Sequence, residues 1–242
     1  MTTETEAAGL FREGAFRILY QDPRCLVVNK LPGEAVEGAA PGMADLPRLL
    51  APYAAPGPEG LALPVAVNRL DVPASGCALF ARTRRALSAL NAALGEGKIE
   101  KRYWAVVENP SLRDFPEAGE WIHWLSRDPR ANKSRAWAEE GPGRKKGILR
   151  YRVKGRGERY LFLELELVTG RHHQIRAQLA AQGLFIKGDL KYGARRSEKG
   201  GGIRLHARSL VFPDPAEPAV LIRVFAPPPV RDRLWLDFEA NP

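Results

Sequence analysis

Residues 160–168 alternate without a break: Leu161, Leu163, Leu165 and Leu167 fall on one side, and Phe162, Glu164 and Glu166 on the other. A helix would scatter those leucines around its circumference, whereas a strand lines them along one face, so the segment has to be a strand set against a core. Such a strand needs partners, and the chain offers several. Short β-like runs at residues 18–20, 26–28, 65–67, 77–80, 103–107, 149–153, 205–212 and 220–225 are parted by Pro, Gly, Asp and Asn. Two helices of useful length are expected. Thr83 caps the first, with Leu87, Leu90 and Leu94 on one face and Gly95 placed to end it; the second covers residues 174–182, with Ile175 and Leu179 inward and Gly183 just past its end. Strands outnumber helices and do not alternate strictly with them, which predicts an α+β mixed sheet and argues against a doubly wound parallel one.

The remaining segments carry weaker patterns. Residues 33–60, rich in Ala, Pro and Gly, are expected to form a long loop with a short helix near residues 46–50, placed to cover a site; the stretch up to about residue 146 has no clear period. Residues 1–16 form a polar lead, and residues 17–242 are expected to fold as one domain, since 242 residues with 45% hydrophobic content suffice for a real core. No apolar run approaches the ~18 residues of a membrane span. The first residues lack the basic and apolar regions of a secretion signal, so the expected location is the cytoplasm. Cys25 and Cys77 lie inside β-like runs, which predicts two buried reduced thiols.

Charge is unevenly placed. The chain carries 37 Lys and Arg against 28 Asp and Glu, net +9, and residues 127–159 alone hold 12 against 4. A basic stripe of this kind attracts a phosphate backbone through counterion release, which points to RNA or DNA as partner.

Two distant stretches bring opposite charges into glycine-rich, polar surroundings: Asn68-Arg69-Leu70-Asp71 running on to Ser75-Gly76, and Gly170-Arg171-His172-His173-Gln174-Ile175-Arg176. A carboxylate and a guanidinium from these loops could meet over a substrate. His172 and His173 are adjacent, not at metal-ligand spacing, so no metal site is expected.

The same stretches carry a family resemblance. Residues 68–76 resemble the His-Arg-Leu-Asp-x-x-Thr-Ser-Gly motif of RluA-like RNA pseudouridine synthases. Lys101-Arg102-Tyr103 resembles that family's Lys-x-Tyr, Gly170 to Arg176 its Gly-Arg-x-His-Gln-Ile-Arg, Leu184 through Gly193 its Gly-Asp-x-x-Tyr-Gly passage, and Leu205-His206-Ala207 its Leu-His-Ala. The shared order over roughly residues 17–225 makes the likeness specific. Departures are Asn68 for the family's His, Pro73-Ala74 before Ser75-Gly76, and Phe185.

The resemblance implies a pseudouridine synthase fold, a mixed, mostly antiparallel sheet with flanking helices and loops, and isomerisation of uridine to pseudouridine in structured rRNA or tRNA. That reaction calls for no cofactor and no metal. Asp71 is then the catalytic carboxylate, Arg176 its partner, and Tyr103 the aromatic that stacks on the extruded base or exchanges a proton near C5. Arg69, Arg171, His173, Gln174, Arg144, Lys145 and Lys146 are the expected substrate contacts, His173 also hydrogen-bonding within the Arg176 loop. His206 and Asp189 are expected to be structural. The expected enzyme is a monomer whose partner is RNA, with no membrane role. A non-catalytic RNA-binding protein reusing the fold is the alternative; a hydrolase would need a second catalytic carboxylate or a metal cluster, and neither is evident.

Overall fold

A computed structural model describes residues 17–42, 45–108, 115–199, 201–230 and 232–239; the 1–16 lead lies outside them. The alternating segment is strand β9 (Tyr160–Leu167), with Leu161, Leu163 and Leu165 fully buried. Its neighbours are β5 (Glu100–Glu108) and β8 (Lys145–Arg156), both antiparallel. Around this centre a single sheet grows. Its remaining strands are β1 (Ile18–Gln21), β2 (Cys25–Lys30), β3 (Gly60–Ala66), β4 (Ser75–Thr83), β6 (Ala118–Asp128), β7 (Lys133–Trp137), β10 (Phe185–Ile186), β11 (Leu205–Pro213) and β12 (Leu221–Phe225). The order is β1-β2-β4-β11-β5-β9-β8-β6-β7, with β3 on β4, β12 on β11 and β10 on β5. All pairings are antiparallel except β4 with β11.

The helices are α1 (Leu46–Leu49), α2 (Arg84–Gly95), α3 (Gln174–Ala181) and α4 (Arg233–Glu239). Among the described residues no helix is long and apolar enough to cross a membrane. One face of the sheet carries the main core, where Leu26, Phe80, Ala105, Leu149 and Leu163 meet Ile175 and Leu179 of α3 and Leu46 of α1. On the other face α2 covers Cys25, Val27, Cys77 and Leu79 with Ala86, Leu90 and Ala93. Both thiols are buried and unpaired. Thr83 caps α2 by accepting a hydrogen bond from the Ala86 N–H at 3.2 Å, but the left-handed residue that ends it is Gly97, not Gly95. Gly183, at φ +72°, stops α3 as expected.

Residues 118–137, which looked patternless, form a hairpin. One side of β6 faces inward through His123 and Leu125 while Ile122 stays exposed, and Asp128 closes the turn by accepting from the Arg130 and Ala131 N–H groups. Charged and aromatic residues on both faces of this edge hairpin hide its period of two. Behind β9, Glu164 and Glu166 pair with Arg102 and Arg150, and Arg150 also reaches Glu120. Part of the basic surplus is therefore neutralised on that face.

The parallel junction of β4 and β11 explains the Ser-Gly and Leu-His-Ala motifs. Gly76, at φ +112°, lies so close to Ala207 that a Cβ would collide with its carbonyl. Beside it, the Ala226 carbonyl can only accept, so His206 Nε2 carries the proton and donates to it at 3.0 Å, leaving Nδ1 to accept from the Ser75 hydroxyl at 2.9 Å. Burial pushes this imidazole down from 6.5 to about 4. A base depressed in the folded state contributes stability above its unfolded value that is lost as pH falls toward 4. Wild type should therefore lose about 2 kcal/mol between pH 7 and pH 4.5 that His206→Asn does not lose, measured by urea unfolding. Equal pH dependence in both proteins would remove His206 from this account.

Candidate active site

Asp71 stands in the turn between β3 and β4, where its carbonyl accepts from the Ala74 N–H at 2.9 Å. The turn is pinned from beneath by a lysine that the motif reading passed over. Lys30, fully buried at the end of β2, donates to the carbonyls of Leu31, Val72 and Ala74 at 2.9, 3.0 and 2.6 Å. Burial lowers its pKa to about 8, against the pull of Glu34 and Asp71. Gly33 N–H to Val72 O (2.8 Å) and Ile203 N–H to Pro73 O (3.0 Å) complete the frame. Asn68 is part of it too: its Nδ2 donates to the Cys77 carbonyl at 3.2 Å and its Oδ1 accepts from the Leu79 N–H at 2.7 Å. The departure from the family's His thus falls on a buried clip between the loop and β4.

The loop before α3 delivers the guanidinium. His173 takes a left-handed conformation (φ 51°) at the helix N-cap, which places Arg176 in the first turn with only 4% of its surface exposed. Arg176 Nη1 donates to Asp71 Oδ2 at 3.1 Å, while Nε and Nη2 grip Asp189 at 2.6 and 2.7 Å. Asp189 is itself 1% exposed, so a turn residue expected to be structural is the main anchor of the site's arginine. Burial alone would lower the Arg176 pKa; the hydrogen bonds and charge of Asp189, with Asp71, hold it above its ordinary value.

Around this trio the histidines are neutral. Arg176 Nη1 can only donate, so His173 Nε2 accepts from it at 3.3 Å and Nδ1 donates to the Tyr192 hydroxyl at 3.0 Å. Burial, and next Arg176, push His173 down to about 3. Its 3.8 Å approach to Asp71 is therefore no ion pair at neutral pH. Tyr192 also accepts from the Ser134 N–H at 2.8 Å and presents its ring to Arg176 at 4.8 Å. His172 is held below its ordinary value by burial and then by Arg127, with Arg69 and Arg176 adding to it. Arg127, at the tip of the unforeseen hairpin, is thus a cation beside the site that motif matching did not single out.

The other expected site residues divide. Tyr103 on β5 belongs to the core that also holds Leu70 and Ala74; burial, then the Asp71 charge, raise its phenol pKa. Arg69 is exposed next to Asp71 and paired with Glu37 of the covering loop at 3.0 Å. Arg171 is exposed, its Nε donating to the Lys146 carbonyl at 3.1 Å, which gathers it with Lys145 and Lys146 at the start of β8. Arg144 lies over the Trp137 ring at 4.1 Å. Gln174 does not face the cleft: it is 2% exposed, accepts from Thr169 Oγ1 and the Arg171 N–H, and donates to the Ile148 carbonyl, so its part is to shape the loop.

This architecture has known counterparts. Residues 24–181 match the family model described as RNA pseudouridylate synthase. An RNA pseudouridine synthase of Zymomonas mobilis is 29% identical over 198 residues, covering 81% of this chain and 87% of its own. Ribosomal large subunit pseudouridine synthase C of Salmonella typhimurium is 33% identical over 235 residues, covering 87% of this chain; the chain spans 66% of that relative's length. The structure of human RNA pseudouridylate synthase domain containing 1 superposes with a TM-score of 0.69 at 21% identity, over 96% of this chain and 99% of that one. The human domain containing 4 gives 0.68 at 20%, over 93% and 92%. With a family model matched over most of its length, the chain belongs to the RNA pseudouridylate synthase family.

Proposed function

We propose that the protein isomerises uridine to pseudouridine in ribosomal RNA, with Asp71 as the catalytic carboxylate. The observation that carries this reading is the division of labour on Asp71. Its Oδ2 is held by Arg176, while Oδ1 has no hydrogen-bond donor among the described residues, which leaves an oriented carboxylate oxygen for the nucleoside. Converting uridine to its C-glycoside replaces the N1–C1′ bond by C5–C1′; the hydrogen lost from C5 is matched by one gained at N1, so no co-reactant is consumed. Tyr103, kept protonated by burial, suits stacking and proton donation better than service as a general base. The choice of ribosomal over transfer RNA rests on relatives named for the large ribosomal subunit.

The test is tritium release from unmodified large-subunit rRNA labelled at C5 of uridine. Release by the wild-type protein is the expected result; no release with RNA binding intact would favour the non-catalytic RNA-binding reading. Arg171, Arg144, Lys145 and Lys146 are proposed to meet the phosphate backbone. Replacing Arg144, Lys145 and Lys146 together by Ala should reduce the log–log salt slope of RNA binding by about 2, near 0.7 per contact on single-stranded RNA. An unchanged slope would put the backbone elsewhere.

A further inference from the structure

An open groove of about 690 Å³ runs between the β6–β7 hairpin and α3. Its size lies within the ~300–1,000 Å³ range of ligand sites. Its α3 wall is methyl-lined, by Ala177, Ala180 and Ala181, and Tyr192 closes one side. Tyr192 is the residue that also holds His173 and faces Arg176, so the groove adjoins the catalytic trio. From the hairpin, Arg127, Lys133 and Arg135 line it.

These three cations differ from the arginines of β5 and β8. Arg102, Arg150 and Arg156 are each paired with a glutamate, whereas Arg127, Lys133 and Arg135 have no carboxylate partner among the described residues. The acidic residue in the lining, Asp128, is committed to its own turn. Two of the cations rest on aromatic rings, Lys133 over Tyr192 at 4.9 Å and Arg135 over Trp137 at 3.8 Å. Such contacts order a cation without neutralising it. The hydroxyls in the lining are engaged: Ser126 accepts from Trp137 Nε1, and Ser134 Oγ bonds to His172. What remains on offer is positive charge above a floor of methyl groups. That suits a sugar–phosphate backbone better than a base, which would seek an open aromatic face.

We propose that this groove carries the RNA strand adjoining the target uridine, with Arg127 and Lys133 on its phosphates and the ribose over the α3 alanines. The proposal rests on RNA being the substrate, as argued above. Binding and tritium release are measured on one large-subunit rRNA transcript for wild type, Arg127→Ala with Lys133→Ala, Ala181→Trp, and Arg150→Ala as a control behind the sheet. The double variant should bind at least ~10-fold more weakly, with a salt slope smaller by about 1.4. Ala181→Trp changes no charge and sits at an exposed position at the end of α3. It should nevertheless weaken binding several-fold and lower the slope, because the strand is expelled from its cations. Arg150→Ala should bind as wild type. Wild-type binding by Ala181→Trp, or equal losses in Arg150→Ala and the double variant, would overturn the groove assignment. If wild type releases no tritium while Ala181→Trp still weakens binding, the isomerase reading fails on that RNA and the groove stands.

Discussion

Asp71→Asn is expected to lower the rate of tritium release by at least ~10⁴-fold while leaving the affinity for RNA within about twofold of wild type. The amide keeps the shape of the turn, because Lys30, Gly33 and Ile203 hold it through hydrogen bonds to backbone carbonyls and not through the Asp71 side chain. What disappears is the negative charge on Oδ1 and the charge-assisted bond to Arg176 Nη1. Asp71 is also part-exposed, with 23% of its side chain accessible. Its removal should therefore leave unfolding in urea close to wild type. Retained turnover in this variant would end the proposed chemistry.

Asp189→Ala should do the reverse, unsettling the fold first and the rate as a consequence. The Asp189–Arg176 pair is almost wholly buried, at 1% and 4% exposure, and both oxygens are used. Deleting the anion leaves a guanidinium in the interior with Asp71 as its one remaining carboxylate among the described residues, a change that typically costs about 3–5 kcal/mol. For a chain of this size that corresponds to a fall in melting temperature of roughly 10 °C. Turnover should fall as well, since an unanchored Arg176 no longer fixes Asp71. A melting temperature within about 1 °C of wild type would mean that Asp189 is not the anchor described here. The contrast separates the two carboxylates on either side of one arginine: the part-exposed one is proposed to react, and the buried one supports.

Much of this was visible in the sequence, and what was not has identifiable causes. The leucine alternation of β9 declares a strand because one face is dry and the other wet. The cap at Thr83 and the stop at Gly183 work through local backbone chemistry, which a linear reading can follow. The hairpin of β6 and β7 escaped because an edge element with mixed faces has no clear period, and with it went Arg127 and the groove. Asp71, Arg176 and Tyr103 were singled out as residue types in motifs. That Asp189 supports Arg176, or that Lys30 supports the Asp71 turn, depends on contacts between segments 13 and 42–44 residues apart, which no local pattern encodes.

The pairing of β4 with β11 also bears on how the protein is made. Strand β11 lies between β4 and β5, yet Ser75 and His206 are separated by 131 positions. As the chain emerges from the ribosome, Asp71, Tyr103 and Arg176 are all synthesised before the strand that sets their spacing. Until residue 205 or so appears, Ser75 and Gly76 at the start of β4, and the edge of β5 from Glu100 to Ala105 that faces away from β9, have no strand beside them. Long-range closures of this kind are slow and leave nascent edges open to association, so this late strand should make the unfinished protein a client for chaperones. On the proposed function it would also delay activity: a chain made as far as α3 already holds Asp71, Tyr103 and Arg176 but not the strand that lies between β4 and β5.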